Sequence, residues 1–327
     1  MQIFLNIVVL LIGFAALIKG ADFFVDGSAS VAKRLKVPGV IIGLTIVAMG
    51  TSAPELAVSV SAGLSGSNAI AVSNVVGSNI FNLLAVLGIC AILKPLPVGQ
   101  EIKKRDYPLS LLFTLAVFLL AGNLVLSGQC KNIHDMNETA GTLFRWNGLV
   151  LIAAFILYLL YTIHIAKKNR LQAEEEIELL TPFQCAVYIV GGIIAIILGG
   201  QLVVDSAEKL ALAFGMSETL VGLTIVAIGT SLPELVTSVV AAKKGENGMA
   251  AGNVVGSNIF NLLLILGVSS TIHPVEIMVA SFVDLGMLLG VSLIAYTFIF
   301  TGRKINRVEG GIMVLMYILY TCYVIAR

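Results

Sequence analysis

Residues 43–56 read GLTIVAMGTSAPEL, and residues 222–235 read GLTIVAIGTSLPEL. After each comes NVVGSNIFNLL, unchanged, at 74–84 and again at 253–263. One step of 179 residues superimposes both phrases without a gap, carrying Glu55 onto Glu234 and Asn82 onto Asn261. Each copy sets a carboxylate, hydroxyls and an amide inside an apolar stretch. An ionisable group is costly in hydrocarbon, so a carboxylate there marks a functional position. Two carboxylates at matching places in two halves point to one site assembled where the repeats meet.

The rest of the chain places these phrases in a membrane. Its 327 residues are 58% hydrophobic and 12% charged, with a mean hydropathy of +0.99. That is too apolar for an ordinary soluble domain. Stretches long enough to cross a bilayer as helices recur from end to end. They predict about ten spans: 3–24, 39–64, 70–93, 107–127, 146–165, 182–204, 218–242, 249–272, 279–300 and 308–326. The N-terminal stretch lacks a basic leader and a small-residue cleavage signal, so it reads as the first span. A net charge of +1 gives no bulk case for nucleic acid. Cys90, Cys130, Cys185 and Cys322 are scattered and read as free thiols.

Loop charges orient the spans. Lys33, Arg34, Lys36, Lys94, Lys103, Lys104, Arg105, Lys167, Lys168, Arg170, Lys243, Lys244, Arg303, Lys304 and Arg307 fall in one set of alternate loops. The other set and the termini hold only Lys131, Arg145, Lys209 and Arg327. The positive-inside rule puts the first set in the cytoplasm and both termini outside the cell membrane. Five spans is an odd number, so the second half enters the membrane facing the other way. The expected fold is an all-α membrane protein of about ten transmembrane helices in two inverted five-helix repeats. The first repeat covers 1–166 with spans 1–5, and the second covers 182–327 with spans 6–10. Between them lies an acidic cytoplasmic linker, 167–181, whose Glu174, Glu175, Glu176 and Glu178 read as solvated rather than as a Ca²⁺ loop. The polar loop 128–145 carries a formal sequon at Asn137.

Within span 2, Pro54 has no N–H, so the Gly50 carbonyl loses its helical partner and the helix kinks. Carbonyls from Ala48 to Thr51 are then available to a ligand, close to the Thr51 hydroxyl and the Glu55 carboxylate. Span 7 repeats this with Ala227, Gly229, Thr230, Ser231, Pro233 and Glu234. Span 3 aligns Asn74, Ser78 and Asn82 on one helix face, and span 8 aligns Asn253, Ser257 and Asn261. Gly77 and Gly256 allow close helix approach. Asn74 and Asn253, nearer the helix starts, equally suit hydrogen bonds between helices. Oxygen ligands with two carboxylates suit a hard cation, Ca²⁺ before Mg²⁺ or a transition metal. The same set suits several Na⁺. Sharing one pair of buried charges between two cations is a physical basis for exchange. Asp26 and Asp205 also match at the 179-residue step and read as structural. Asp106 and Asp284 read as helix N-terminal acids.

The paired G-T-S-x-P-E and G-S-N-I-F-N segments resemble the alpha repeats of the calcium/cation antiporter superfamily, close to prokaryotic sodium/calcium exchangers. The resemblance covers nearly the whole chain. It implies Na⁺-driven Ca²⁺ exchange by alternating access, with spans 1 and 6 sliding over the core. It implies that Glu55 and Glu234 bind Ca²⁺ with help from Thr51 and Thr230. The Na⁺ sites it implies add Ala48, Ser52, Ser78, Ala227, Ser231 and Ser257, with Asn82 and Asn261 lining the centre. Some relatives carry Asp where this chain has Asn261. In K⁺-dependent relatives that Asp is associated with K⁺, so its absence points away from K⁺ co-transport. Ca²⁺ and Na⁺ are cargo on this reading, the lipid bilayer is the surroundings, and no cofactor is required.

Three other readings compete. H⁺/Ca²⁺ exchange would use the same glutamates, but protons need no surrounding hydroxyls and carbonyls. A cation channel fits inverted halves poorly, since filters are built from rings or loops. A hydrolase using Ser52 or Ser231 lacks a His or Lys base.

Overall fold

The computed structural model describes residues 2–64, 68–168, 180–214, 227–302 and 304–326. The linker run at 169–179 and the start of span 7, through Val226, lie outside the described residues.

Helices form where the apolar windows predict them. Seven are long and apolar enough to cross a bilayer unbroken, and span 2 crosses as a bent pair, Gly39–Thr51 and Ala53–Leu64, meeting at 48°. Span 4 is shorter, a helix at Tyr107–Ala121 preceded by a π-helical turn at Ile102–Asp106. The described part of span 7 comprises Ala227–Gly229 and Leu232–Lys244. With these two, the spans number ten among the described residues. Span 6 starts at a capping box: Thr181 accepts from the Gln184 N–H, the Gln184 side chain accepts from the Thr181 N–H, and Pro182 follows at the first helical position. Span 7 stops at Gly245, whose φ of 87° is the left-handed cap that glycine favours.

Spans 1 and 6 are the longest helices, Gln2–Leu35 and Pro182–Ala213, both running well past their apolar windows. They are repeat mates and lie antiparallel. Gly13 abuts the Gly199 carbonyl, Gly20 abuts the Gly192 carbonyl, and a Cβ at either would come within 3.0 Å of the partner. Glycines spaced by seven thus let the backbones touch, which is how helices associate without a hydrophobic driving force. Spans 3 and 8 form the centre, 83% and 78% buried along their apolar windows, whereas span 10 is 11% buried and sits at the rim.

Two small antiparallel sheets fasten the halves together. β1 (Leu96–Pro97), after span 3, pairs with β4 (Lys304–Ile305), before span 10. β2 (Thr139–Leu143), before span 5, pairs with β3 (Val275–Met278), after span 8. Each sheet joins a strand of one half to a strand of the other.

Two acids differ from the expected helix-start role. Asp106 follows helical turns and is fully buried, gripped by Arg105 at 2.8 and 2.9 Å, because a buried charge needs a partner more than a helix end needs a cap. Asp284 lies beyond the first turn of Val279–Thr301 and is buried.

Candidate cation site

The break in span 2 falls at Ser52 (φ −84°, ψ 10°), and the break in span 7 falls at Ser231 (φ −93°, ψ 6°). Each places a glutamate in the first turn of the helix that restarts, Glu55 in Ala53–Leu64 and Glu234 in Leu232–Lys244. The unpaired N–H groups and positive dipole end of a helix favour an anion there. The proline before each glutamate has no N–H to spend.

Both glutamates are fully buried, as are Ser52 and Ser231. The serines cross over. Ser52 donates to Glu234 Oε1 at 2.7 Å, and Ser231 donates to Glu55 Oε1 at 3.0 Å. Each half therefore holds the carboxylate of the other. Ser78 extends this arrangement, lying 3.4 Å from Glu55 Oε1 and 3.0 Å from the Ser231 hydroxyl. The second oxygens, Glu55 Oε2 and Glu234 Oε2, are buried without a hydrogen-bond partner, and so are Asn82 Oδ1, Asn261 Oδ1 and the Ser257 hydroxyl. Among the described residues, no ion pair reaches either glutamate, and no group of three or more His, Cys, Asp or Glu side chains is placed to hold a metal. The charge at this place is that of two carboxylates, and these five buried oxygens have no hydrogen-bond partner, with the Thr51 and Ser257 hydroxyls lying beside Glu234.

The remaining expected residues separate into roles. The Thr51 hydroxyl is buried, 3.1 Å from both the Val47 carbonyl and Asn253 Oδ1. Thr230 is half-buried. The Ala48 carbonyl was expected to leave the helix ladder; instead it accepts from the Ser52 N–H at 3.0 Å, with Thr51 Oγ1 at 3.4 Å. Ala227 opens the described part of span 7. Asn74 and Asn253 are braces between helices: Asn74 donates to Ser59 Oγ (3.0 Å) and the Glu55 carbonyl (3.2 Å), and Asn253 donates to Ser238 Oγ (2.9 Å) and the Glu234 carbonyl (3.4 Å). Asp26 is paired with Lys244 at 2.7 Å, across from span 1 to span 7. Asp205 is exposed.

Sequence reasoning passed over Asn79 and Asn258, which are buried beside the site and bond to each other's backbone. The signal was present, since both belong to the repeated phrase, but neither lies on the face drawn through Ser78 and Asn82. It also passed over the π-helical turns at Asn82–Val86 and Phe260–Ile265. Such turns cluster at functional sites because one extra residue re-aims the side chains beside it.

The description "sodium/calcium exchanger protein" matches residues 5–164 and again 185–326, one match in each half. The chain belongs to the sodium/calcium exchanger family. It is 41% identical to CaxA of Alkalimonas amylolytica over 95% of both chains. It is 34% identical to the sodium/calcium exchanger MaX1 of Methanosarcina acetivorans over 98% of both. Among solved structures it resembles the sodium-calcium exchanger NCX_Mj soaked with zero Na⁺ and Ca²⁺. The TM-score is 0.81 at 31% identity, covering 98% of this chain and 99% of that one. NCX_Mj soaked with Na⁺ and Sr²⁺ gives a TM-score of 0.80 at 33% identity, with 97% and 98% covered. The exchanger is thus a membrane-embedded cation antiporter of inverted-repeat build, not an enzyme, and its ions are cargo rather than cofactors.

Proposed function

We propose that this exchanger moves Ca²⁺ against Na⁺ across the cell membrane by alternating access, using one site shared by both ions. The observation that carries this reading is the pair Glu55 and Glu234. Both are fully buried, neither is ion-paired, and each keeps one oxygen free of the protein. Two uncompensated carboxylates in a low-dielectric interior call for a counter-charge from solution. One Ca²⁺ supplies it, with the two glutamates and the oxygens of Thr51 and Thr230 as ligands. Na⁺ ions supply it equally, held by the same carboxylates with Ser52, Ser78, the second lone pair of the ladder-bonded Ala48 carbonyl, and their mates Ser231, Ser257 and Ala227. Asn82 and Asn261 line the position between. Neither ion leaves cheaply unless the other arrives, which couples the two fluxes.

The oxygens that lack donors favour Na⁺ over H⁺ as the coupling ion. A proton neutralises a carboxylate by itself, whereas Na⁺ needs several neutral oxygens, and Ser257, Asn82 and Asn261 offer them. The repeat boundaries, 1–166 and 182–327 about an acidic linker, follow from the same inverted frame. Loop charge puts Lys244 in the cytoplasm and the start of span 3 outside. In that frame the described residues on the outward side are the less buried: Asn74 and Gly77 are half-buried, while their mates Asn253 and Gly256 are buried. The Lys244–Asp26 and Lys244–Asp22 pairs hold span 1 to the core on the cytoplasmic side. The proposed state is outward-facing.

The test is ⁴⁵Ca²⁺ uptake into proteoliposomes loaded with Na⁺, with pH clamped. Uptake is expected to follow the outward Na⁺ gradient. Uptake that ignores Na⁺ and follows an imposed pH gradient would replace this reading with H⁺/Ca²⁺ exchange, and single-channel currents would replace it with a channel.

A further inference from the structure

Asn79 and Asn258 do not reach the carboxylates, yet they constrain the amides that line the centre of the site. The two are 0% and 2% exposed. Asn258 Nδ2 donates to the Asn79 backbone carbonyl at 3.4 Å, and Asn79 Nδ2 donates to the Asn258 backbone carbonyl at 3.3 Å. A backbone carbonyl only accepts, so each of these amides must turn its NH₂ toward the other's main chain. Its Oδ1 then has to point the other way. On that side Asn258 Oδ1 accepts from Asn82 Nδ2 at 3.2 Å, and Asn79 Oδ1 accepts from Asn261 Nδ2 at 3.0 Å.

The constraint passes on. Facing an acceptor, Asn82 and Asn261 must present their NH₂ groups to the clasp, which leaves both Oδ1 atoms buried without a donor. The orientation is set by two main-chain carbonyls and needs no ion to decide it. The aligned amides adjoin the carboxylates: Asn261 Nδ2 also donates to Ser78 Oγ at 3.2 Å, and Ser78 lies 3.4 Å from Glu55 Oε1. Flipped amides would aim N–H donors at a site built to take cations, where only the oxygen is attractive.

We propose that Asn79 and Asn258 are positioning residues, a reciprocal clasp that locks Asn82 and Asn261 with their oxygens toward the cation. This rests on the reading of Glu55 and Glu234 as the cation site. A carboxylate accepts through either oxygen, so it needs no clasp. That gives a double-mutant test separating positioning from packing.

Equilibrium ⁴⁵Ca²⁺ binding to the purified full-length protein would be measured for Asn258→Leu in two backgrounds, the parent chain and Asn82→Asp, alongside thermal unfolding in Ca²⁺-free buffer. In the parent background Asn258→Leu is expected to weaken Ca²⁺ binding about tenfold, because an oriented acceptor is lost and a donor is freed to face the ion. In the Asn82→Asp background it is expected to cost nothing or to strengthen binding, since it removes an oxygen that opposes the new carboxylate. Any loss of thermal stability would be alike in both. An equal loss of affinity in both backgrounds, or none in the parent, overturns the clasp. Should the leucine variant not fold, Asn258→Ala carries the test in the same two backgrounds, and an equal loss in both sinks the idea. A parent chain that binds Ca²⁺ undiminished by Glu55→Gln with Glu234→Gln disproves the site reading and the clasp with it. Binding lost in that pair but unmoved by Asn258→Leu disproves the clasp alone.

Discussion

Asn253 is sealed between spans 7 and 8, while its repeat mate Asn74 stands half-exposed between spans 2 and 3. Yet both make the same two bonds, to a serine hydroxyl and to the carbonyl of the motif glutamate. The same holds throughout the two phrases. Ser52 and Ser231 exchange carboxylates, and Asn79 and Asn258 exchange carbonyls, each with its counterpart's geometry. The surroundings differ. Ser78 is within hydrogen-bond distance of Glu55, Ser231 and Asn261, whereas Ser257 lies beside Glu234 with no partner at that distance. A Cβ on Gly256 would lie 2.8 Å from the Leu44 backbone, and Asn74 and Gly77 are less buried than their mates. The bonding of the site is close to symmetric, and the burial of its described residues is not. That is what a carrier with inverted halves requires: chemistry that treats the ion alike from both sides, inside a frame that is open on one side at a time.

The strongest way to break the comparison is at the carboxylates. Glu55→Gln and Glu234→Gln are each expected to lower Na⁺-dependent Ca²⁺ flux by about 100-fold or more, because one carboxylate–cation contact at low dielectric exceeds about 2.7 kcal/mol. The losses should match. A mutant that retains near-normal flux, with its partner dead, would show that the site belongs to one half.

The close approach of spans 2 and 8 is tested at Gly256. Gly256→Ala is expected to lower stability by about 2 kcal/mol, since its methyl meets main chain that cannot yield. An unchanged thermal midpoint would mean that span 2 yields there.

At the serines the contrast is smaller. Ser78→Ala is expected to cost about 1 kcal/mol in ion-free buffer by removing bonded partners, and Ser257→Ala almost nothing. With Na⁺ present both should weaken transport, because each hydroxyl then serves an ion. Differential scanning in ion-free buffer reads the first arm, and Na⁺-dependent ⁴⁵Ca²⁺ flux reads the second.

The smallest effect is at Lys244. Its pairs with Asp22 and Asp26 are half-exposed, so Lys244→Ala should lower stability by less than about 1 kcal/mol. The same energy applied to the balance of facing states shifts it by up to about fivefold toward cytoplasmic opening. Cysteine labelling from the two sides measures that ratio, and an unchanged ratio removes Lys244 as a hold on span 1.

Much of the molecule was legible beforehand. Hydropathy and loop charge are local and additive along the chain, so spans and inversion could be read directly. The prolines of the motifs forecast the bends, and the 179-residue step paired the glutamates. The misreadings share a cause. Asp106 read as a helix-start acid because its grip by Arg105 depends on burial, which sequence does not state. The Ala48 carbonyl read as free because the break fell at Ser52, two residues before the proline, which left Ala48 in its ladder. The glycines at 13, 20, 192 and 199 carried a seven-residue signal, but its meaning needed the antiparallel contact of spans 1 and 6.

Sequence by itself determined the residue types at the site, their duplication and the inverted frame, because burying a carboxylate in an apolar span is too costly to occur twice without use. Tertiary structure decided who holds whom: that each serine serves the opposite glutamate, that β1–β4 and β2–β3 bind the halves, and that Asn79 and Asn258 turn the central amides. Those are contacts between segments far apart in the chain, and hydrogen-bond direction is fixed only when donor and acceptor meet in space.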